Sequence, residues 1–111
     1  MPDRRDLVAR LADACLHGDV AALEAVLTTD AVAVCDGIGL LPVRGAADVA
    51  RLLTRLTGGG ADLTSESVNG TPGLALRRAG RVVAVAAVQP AGDRIATVWI
   101  VLNPAKLSGW N

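Results

Sequence analysis

Residues 81–102 hold two runs dense in Val and Ile, Arg81-Val-Val-Ala-Val-Ala-Ala-Val-Gln89 and Arg94-Ile-Ala-Thr-Val-Trp-Ile-Val-Leu102, around a Pro90-Ala91-Gly92-Asp93 cluster. Two β-branched runs joined by turn formers predict an antiparallel hairpin. Both runs are apolar at odd and even positions alike. Strand side chains alternate between faces, so a sheet built from this hairpin must be covered on both sides. The chain's own helices are expected to cover one face and a second copy of the chain the other.

The sequence has 111 residues, enough for one domain, expected to span 1–111. Eleven acidic and eleven basic residues balance, which gives no electrostatic case for binding nucleic acid or a membrane surface. Apolar residues make up 51% of the chain, yet Phe and Tyr are absent and Trp occurs only at 99 and 110, so Val, Leu, Ile and Ala must build the core. No stretch is long and apolar enough to span a bilayer, and the expectation is a soluble, cytoplasmic protein. Cys15 and Cys35 are too few and too scattered for a disulfide scaffold or metal motif, and both are expected as small reduced core residues.

Asp3 is positioned to cap a first helix from about Arg4 to His17, with Leu7, Val8, Leu11, Ala14 and Cys15 at helical spacing and Gly18 as the stop. Asp19 caps a second, with Val20, Leu23, Val26 and Leu27 as its buried stripe before Thr28-Thr29-Asp30 breaks it. Ala31 to Cys35 reads as a strand, Asp36-Gly37-Ile38-Gly39 as irregular, and Leu40 to Arg44 as a brief strand or link interrupted at Pro42. A third helix from Gly45 to about Thr57 carries Val49, Leu52, Leu53 and Leu56 on one face. Strands at Asp62 to Val68 and Gly73 to Arg78, turning at Asn69-Gly70 and Ala79-Gly80, lead into the hairpin. Helices first and a strand meander after them make an α+β domain.

This order resembles the nuclear transport factor 2-like superfamily, in its SnoaL-like branch. The likeness rests on Gly18-Asp19, Asp30-Ala31, Arg44-Gly45 and the terminal hairpin. A narrower likeness is carried by Asp36-Gly37-Ile38-Gly39, Val68-Asn69-Gly70-Thr71-Pro72-Gly73 and Asn103-Pro104-Ala105-Lys106-Leu107. These resemble motifs of the SnoaL-like accessory domain at the C-terminus of one group of extracytoplasmic-function sigma factors. That group tends to have Asp-Gly-Gly-Gly plus a basic residue in the first motif and Asn-Pro-Asp-Lys-Leu in the last. Here Ile38 and Leu40 replace a glycine and a basic residue, and Ala105 replaces an acid. A chain of this length has no room for the sigma regions as well, so the expectation is the accessory module alone.

The resemblance implies a cone: a strongly curved antiparallel sheet packed on three N-terminal helices, around a pocket. It places Asp36 at the pocket mouth, where steroid isomerases of the superfamily hold their carboxylate base, so Asp36 is the candidate general base. The bland alternative is that Asp36 caps a glycine-containing turn. Enolate chemistry needs donors for the developing oxyanion, and the matching stretches present Leu11 and Val85, which cannot donate. Pocket candidates are Leu11, Cys15, Asp36, Gly37 and Leu53. His17 is expected to interact with the end of its helix, and the spacing of acids, His and Cys predicts no metal or cofactor site.

Trp99 shares a face with Thr97 and Val101 under strict alternation. Either it fills the cone, or it lies on the outer face in a homodimer interface with Val101 and Arg77 as further candidates. The function expected is a non-catalytic ligand-binding or regulatory module for a small apolar ligand, with a transcription-machinery protein as possible partner. The alternatives are a small-molecule isomerase, cyclase or hydratase using Asp36, and a purely structural dimerisation module.

Overall fold

The computed structural model describes residues 3–37 and 42–111. Helix α1 (Arg4–Leu16) starts at a reciprocal cap: the Asp3 carboxylate accepts from the Asp6 amide, and the Asp6 carboxylate accepts from the Asp3 amide. It ends at Gly18, whose φ of 61° continues no right-handed helix. Asp19 then caps α2 (Val20–Val26), accepting from the Ala22 amide at 3.0 Å.

Strand β1 (Leu27–Asp36) begins at Leu27 rather than at Ala31. The polar Thr28-Thr29-Asp30 stretch read as a break continues the strand, in keeping with the preference of its two β-branched residues for extended backbone. A register shift between Leu27 and Val32 absorbs the misfit against the neighbouring strand. Of the brief strand expected over Leu40 to Arg44, the first two residues lie outside the described residues, as do Ile38 and Gly39. Val43 and Arg44 form β2 (Val43–Arg44). Helix α3 (Ala46–Thr57) follows, then β3 (Asp62–Val68), β4 (Thr71–Arg78), β5 (Arg81–Ala91) and β6 (Arg94–Val101), then a short helix α4 (Pro104–Leu107) and a 3₁₀ turn, Ser108–Trp110.

The strands form one curled, unclosed sheet in the order β2-β1-β6-β5-β4-β3, with the helices against it. The α+β architecture is the expected one, but the sheet is mixed rather than purely antiparallel. The meander of β3 to β6 brings the chain back beside its starting strand, and β6 runs parallel to β1 while every other pair is antiparallel.

Alternation divides this sheet into two faces. Ala31, Ala33, Leu74, Leu76, Ala84, Val88, Val98 and Ile100 pack inward with Leu7, Leu11, Leu23, Val49 and Leu53 of the helices. Across the sheet, Val34 is opposite Trp99 and Trp99 opposite Ala87, while Asp36 is opposite Val101 and Val101 opposite Val85. These residues alternate with the inward set and therefore share the outer face.

The outer face has a core of its own. Val68, Ala75, Val82, Val85 and Leu107 are buried together, with Ala87, Val101 and Trp110 packed beside them. Leu107 and Trp110 belong to the C-terminal segment, which folds back over the sheet. The chain thus covers part of the outer face itself. The Asn103 side chain caps α4 through the Ala105 amide, and Asn111 binds β5 like a strand backbone, accepting from the Val82 amide at 2.9 Å and donating to its carbonyl at 3.1 Å. Sequence periodicity misses this cover because a four-residue helix has no repeat to detect.

Candidate functional site: an apolar cavity and a polar corner on opposite faces

A half-open apolar cavity lies between α1, α3 and the inner face of the sheet. Leu11 and Cys15 line it from α1, Leu53, Leu56 and Thr57 from α3, and Leu63, Leu74, Leu76, Ala84, Val85, Ala86 and Ile100 from the strands. The wall positions follow from two periods: helical spacing puts Leu11 with Cys15 and Leu53 with Thr57, and strand alternation puts Leu74 with Leu76 and Ala84 with Ala86. The interior leaves about 40 Å³ for the centre of a water-sized sphere. That exceeds the roughly 10–15 Å³ a single water needs, but falls well short of the about 150 Å³ of a cavity known to hold benzene.

Among the described residues, two polar side chains border the cavity, Thr57 and Cys15. The Thr57 hydroxyl donates to the Leu53 carbonyl at 2.8 Å and is thereby engaged with its own helix. The Cys15 thiol is pushed up to about 11 by burial, with the nearby Thr57 side chain opposing the shift. At neutral pH it is a protonated, weakly polar wall group rather than a nucleophile. A wall of this kind binds by shape and dispersion and offers nothing to stabilise a developing charge.

Asp36 stands elsewhere. Its neighbours Cys35 and Ala33 pack inward, and parity turns Asp36 to the outer face, where its carboxylate pairs with Lys106 of α4. Neither Asp36 nor Gly37 is among the cavity's lining residues, and the Asp36 carboxylate forms an exposed ion pair on the outer face of the sheet. Gly37 has a φ of 118°, and a Cβ there would lie within 2.6 Å of the Asn103 Cα. The Leu102 amide donates to the Asp36 carbonyl at 2.8 Å. The Asp36-Gly37 and Asn103-to-Leu107 motifs, far apart in sequence, thus form one corner. Their proximity was not readable from either motif alone, because it depends on the parallel pairing of β1 with β6.

The remaining candidates also fall on the outer face. Trp99 is 42% exposed, which removes it from the cone interior. Val101 is half-buried beside the outer cluster. Arg77 meets Glu66 at 3.5 Å, and the Thr64 hydroxyl donates to the same carboxylate. His17 lies at the exposed end of α1 with Nδ1 2.8 Å from the Asp13 carbonyl, as a helix-terminal histidine should. Among the described residues no three His, Cys, Asp or Glu side chains are grouped to hold a metal ion, and no helix is long and apolar enough to cross a membrane.

No protein-family model matches the chain, and no curated protein sequence does. Solved structures do. The extracytoplasmic function sigma factor SigJ of Mycobacterium tuberculosis superposes with a TM-score of 0.72 at 24% identity over 98% of this chain. The chain spans just under half, 46%, of that sigma factor. An NTF-2 like protein of unknown function from Burkholderia xenovorans matches at a TM-score of 0.68 and 16% identity, covering 96% of this chain and 91% of that one. An LEH-like epoxide hydrolase of M. tuberculosis matches at 0.61 and 19%, covering 94% and 85%. With its curled sheet, its helices on the inner face and these neighbours, the chain has the nuclear transport factor 2-like fold.

Proposed function

We propose that this chain is a non-catalytic binding module: its inner cavity takes a small apolar group, and its outer face docks protein. The observation that carries the reading is the separation of the two chemistries. The cavity wall is apolar, and the carboxylate that an isomerase-type mechanism would need lies on the other side of the sheet in an ion pair. The epoxide hydrolase among its structural neighbours has the same fold, but fold alone does not carry an activity across.

Two partners are part of the proposal. A homodimer would cover the exposed Trp99 on the uncovered part of the outer face. A protein of the transcription machinery is the second, supported by the Asp-Gly and Asn-Pro-x-Lys-Leu resemblance and by the sigma factor neighbour. The corner where those motifs meet is the surface such a partner would read.

Calorimetry with a series of short aliphatic alcohols tests the cavity reading. The expected result is saturable binding that strengthens with the first added methylenes, then stops as the cavity fills, and that is unchanged in Asp36→Ala. Turnover of a hydrophobic epoxide or enone by the wild type, abolished in Asp36→Ala, would overturn it in favour of an enzyme.

A further inference from the structure

The C-terminal segment and the outer sheet face are related as ligand and groove. Leu107 is 3% exposed over Val68, Ala75, Val82 and Val85, and Asn111 clamps both backbone groups of Val82. Around these anchors Pro104, Ala105, Lys106, Ser108 and Gly109 are exposed, and α4 has four residues, too few for a helix stable on its own. One buried side chain, one half-buried indole, one amide clamp and one exposed ion pair hold the segment, fewer anchors than the paired strands beneath it have. When it opens, it uncovers an apolar groove that requires an occupant.

We propose that the occupant is the same segment of a second copy, so that the homodimer forms by reciprocal exchange of residues 103–111. The structure itself shows which segment fits the groove, and every copy of the chain carries it. Only Leu102 and Asn103 separate β6 from α4, and Asn103 is pressed against Gly37. A short, crowded hinge of this kind favours exchange. Exchange keeps every contact of the closed form and brings two outer faces together, covering the exposed Trp99 that adjoins the groove. The inference rests on the homodimer reading and adds its mechanism.

A charge-swap pair tests it. In Asp36→Lys the corner holds two lysines, and in Lys106→Asp it holds two acids, so each variant repels its own segment. In an exchanged heterodimer both corners regain an opposite-charge pair. Native mass spectrometry of an equimolar mixture at low salt should show heterodimer well above the one-half expected from random pairing, with the excess shrinking as salt rises. A dimer population at the random proportion would overturn exchange while leaving the homodimer intact, and no dimer in any sample would overturn both. The wild type supplies a check that needs no variant. In a mixture of ¹³C-labelled and unlabelled protein, isotope-filtered spectra should show contacts between the Leu107 methyls of one molecule and the Val82 and Val85 methyls of another. Purely intramolecular contacts in a dimeric sample would contradict the proposal.

Discussion

Cys15 shows how much one buried side chain reports about the cavity around it. Its thiol is raised from 9.0 to about 11, so the folded state holds the proton more tightly than the unfolded chain does. The stability this contributes is complete below pH 9 and is lost as pH rises through 11, a total on the order of 2–3 kcal/mol. Chemical denaturation between pH 8 and 11 should show this decline, and Cys15→Ala should flatten it; an equal decline in both proteins would assign it to other groups. Gly37 makes the complementary case on the outer face. Alanine there would combine a φ of 118° with a Cβ pressed into the Asn103 backbone. Gly37→Ala should destabilise by about 1–3 kcal/mol and loosen α4, seen as faster hydrogen exchange at Lys106 and Leu107. The residue types were legible in the sequence, but the face that each occupies was legible only where a strand kept strict alternation. Trp99 stayed ambiguous because both runs of its hairpin carry apolar residues at odd and even positions alike.

At the level of elements, the cavity is where α3 meets the sheet. Leu53 is 5% exposed on its wall. Leu53→Ala should cost about 2–5 kcal/mol, the spread reflecting how far Leu56 and Leu76 close in, and should admit larger apolar ligands than the wild type. Thermal unfolding with and without benzene measures both effects; a stable variant that binds no benzene would show that the cavity collapses instead. The three helices and the late meander were readable because each has a period and a punctuation: capping acids at Asp3 and Asp19, apolar stripes, and turn pairs at Asn69-Gly70 and Ala79-Gly80. What escaped was non-local. The early start of β1 at Leu27 rests on the pairing of Leu27 with Ile95 of β6, and the C-terminal cover depends on where Leu107 lands. Neither leaves a trace in local spacing.

For the whole molecule, one sheet serves two purposes: its inner face holds the cavity, and its outer face carries the Asp36–Lys106 corner, the C-terminal cover and Trp99. If the outer face is the assembly surface, Trp99→Lys should convert a dimer to a monomer in sedimentation velocity without lowering thermal stability by more than about 1 kcal/mol, because the indole is already 42% exposed. A dimer of unchanged affinity would move the interface elsewhere. The two uses of the sheet were foreshadowed by its two-sided apolar pattern, and strand parity puts Asp36 on the outer face beside Lys106. The most direct test is methyl-resolved NMR of the wild type during titration with a short aliphatic alcohol. The account predicts saturable shifts at Leu11, Leu53, Leu76 and Ile100, with Val68, Val82 and Leu107 unmoved; shifts centred on the Asp36–Lys106 corner, or none at the cavity methyls, would contradict it.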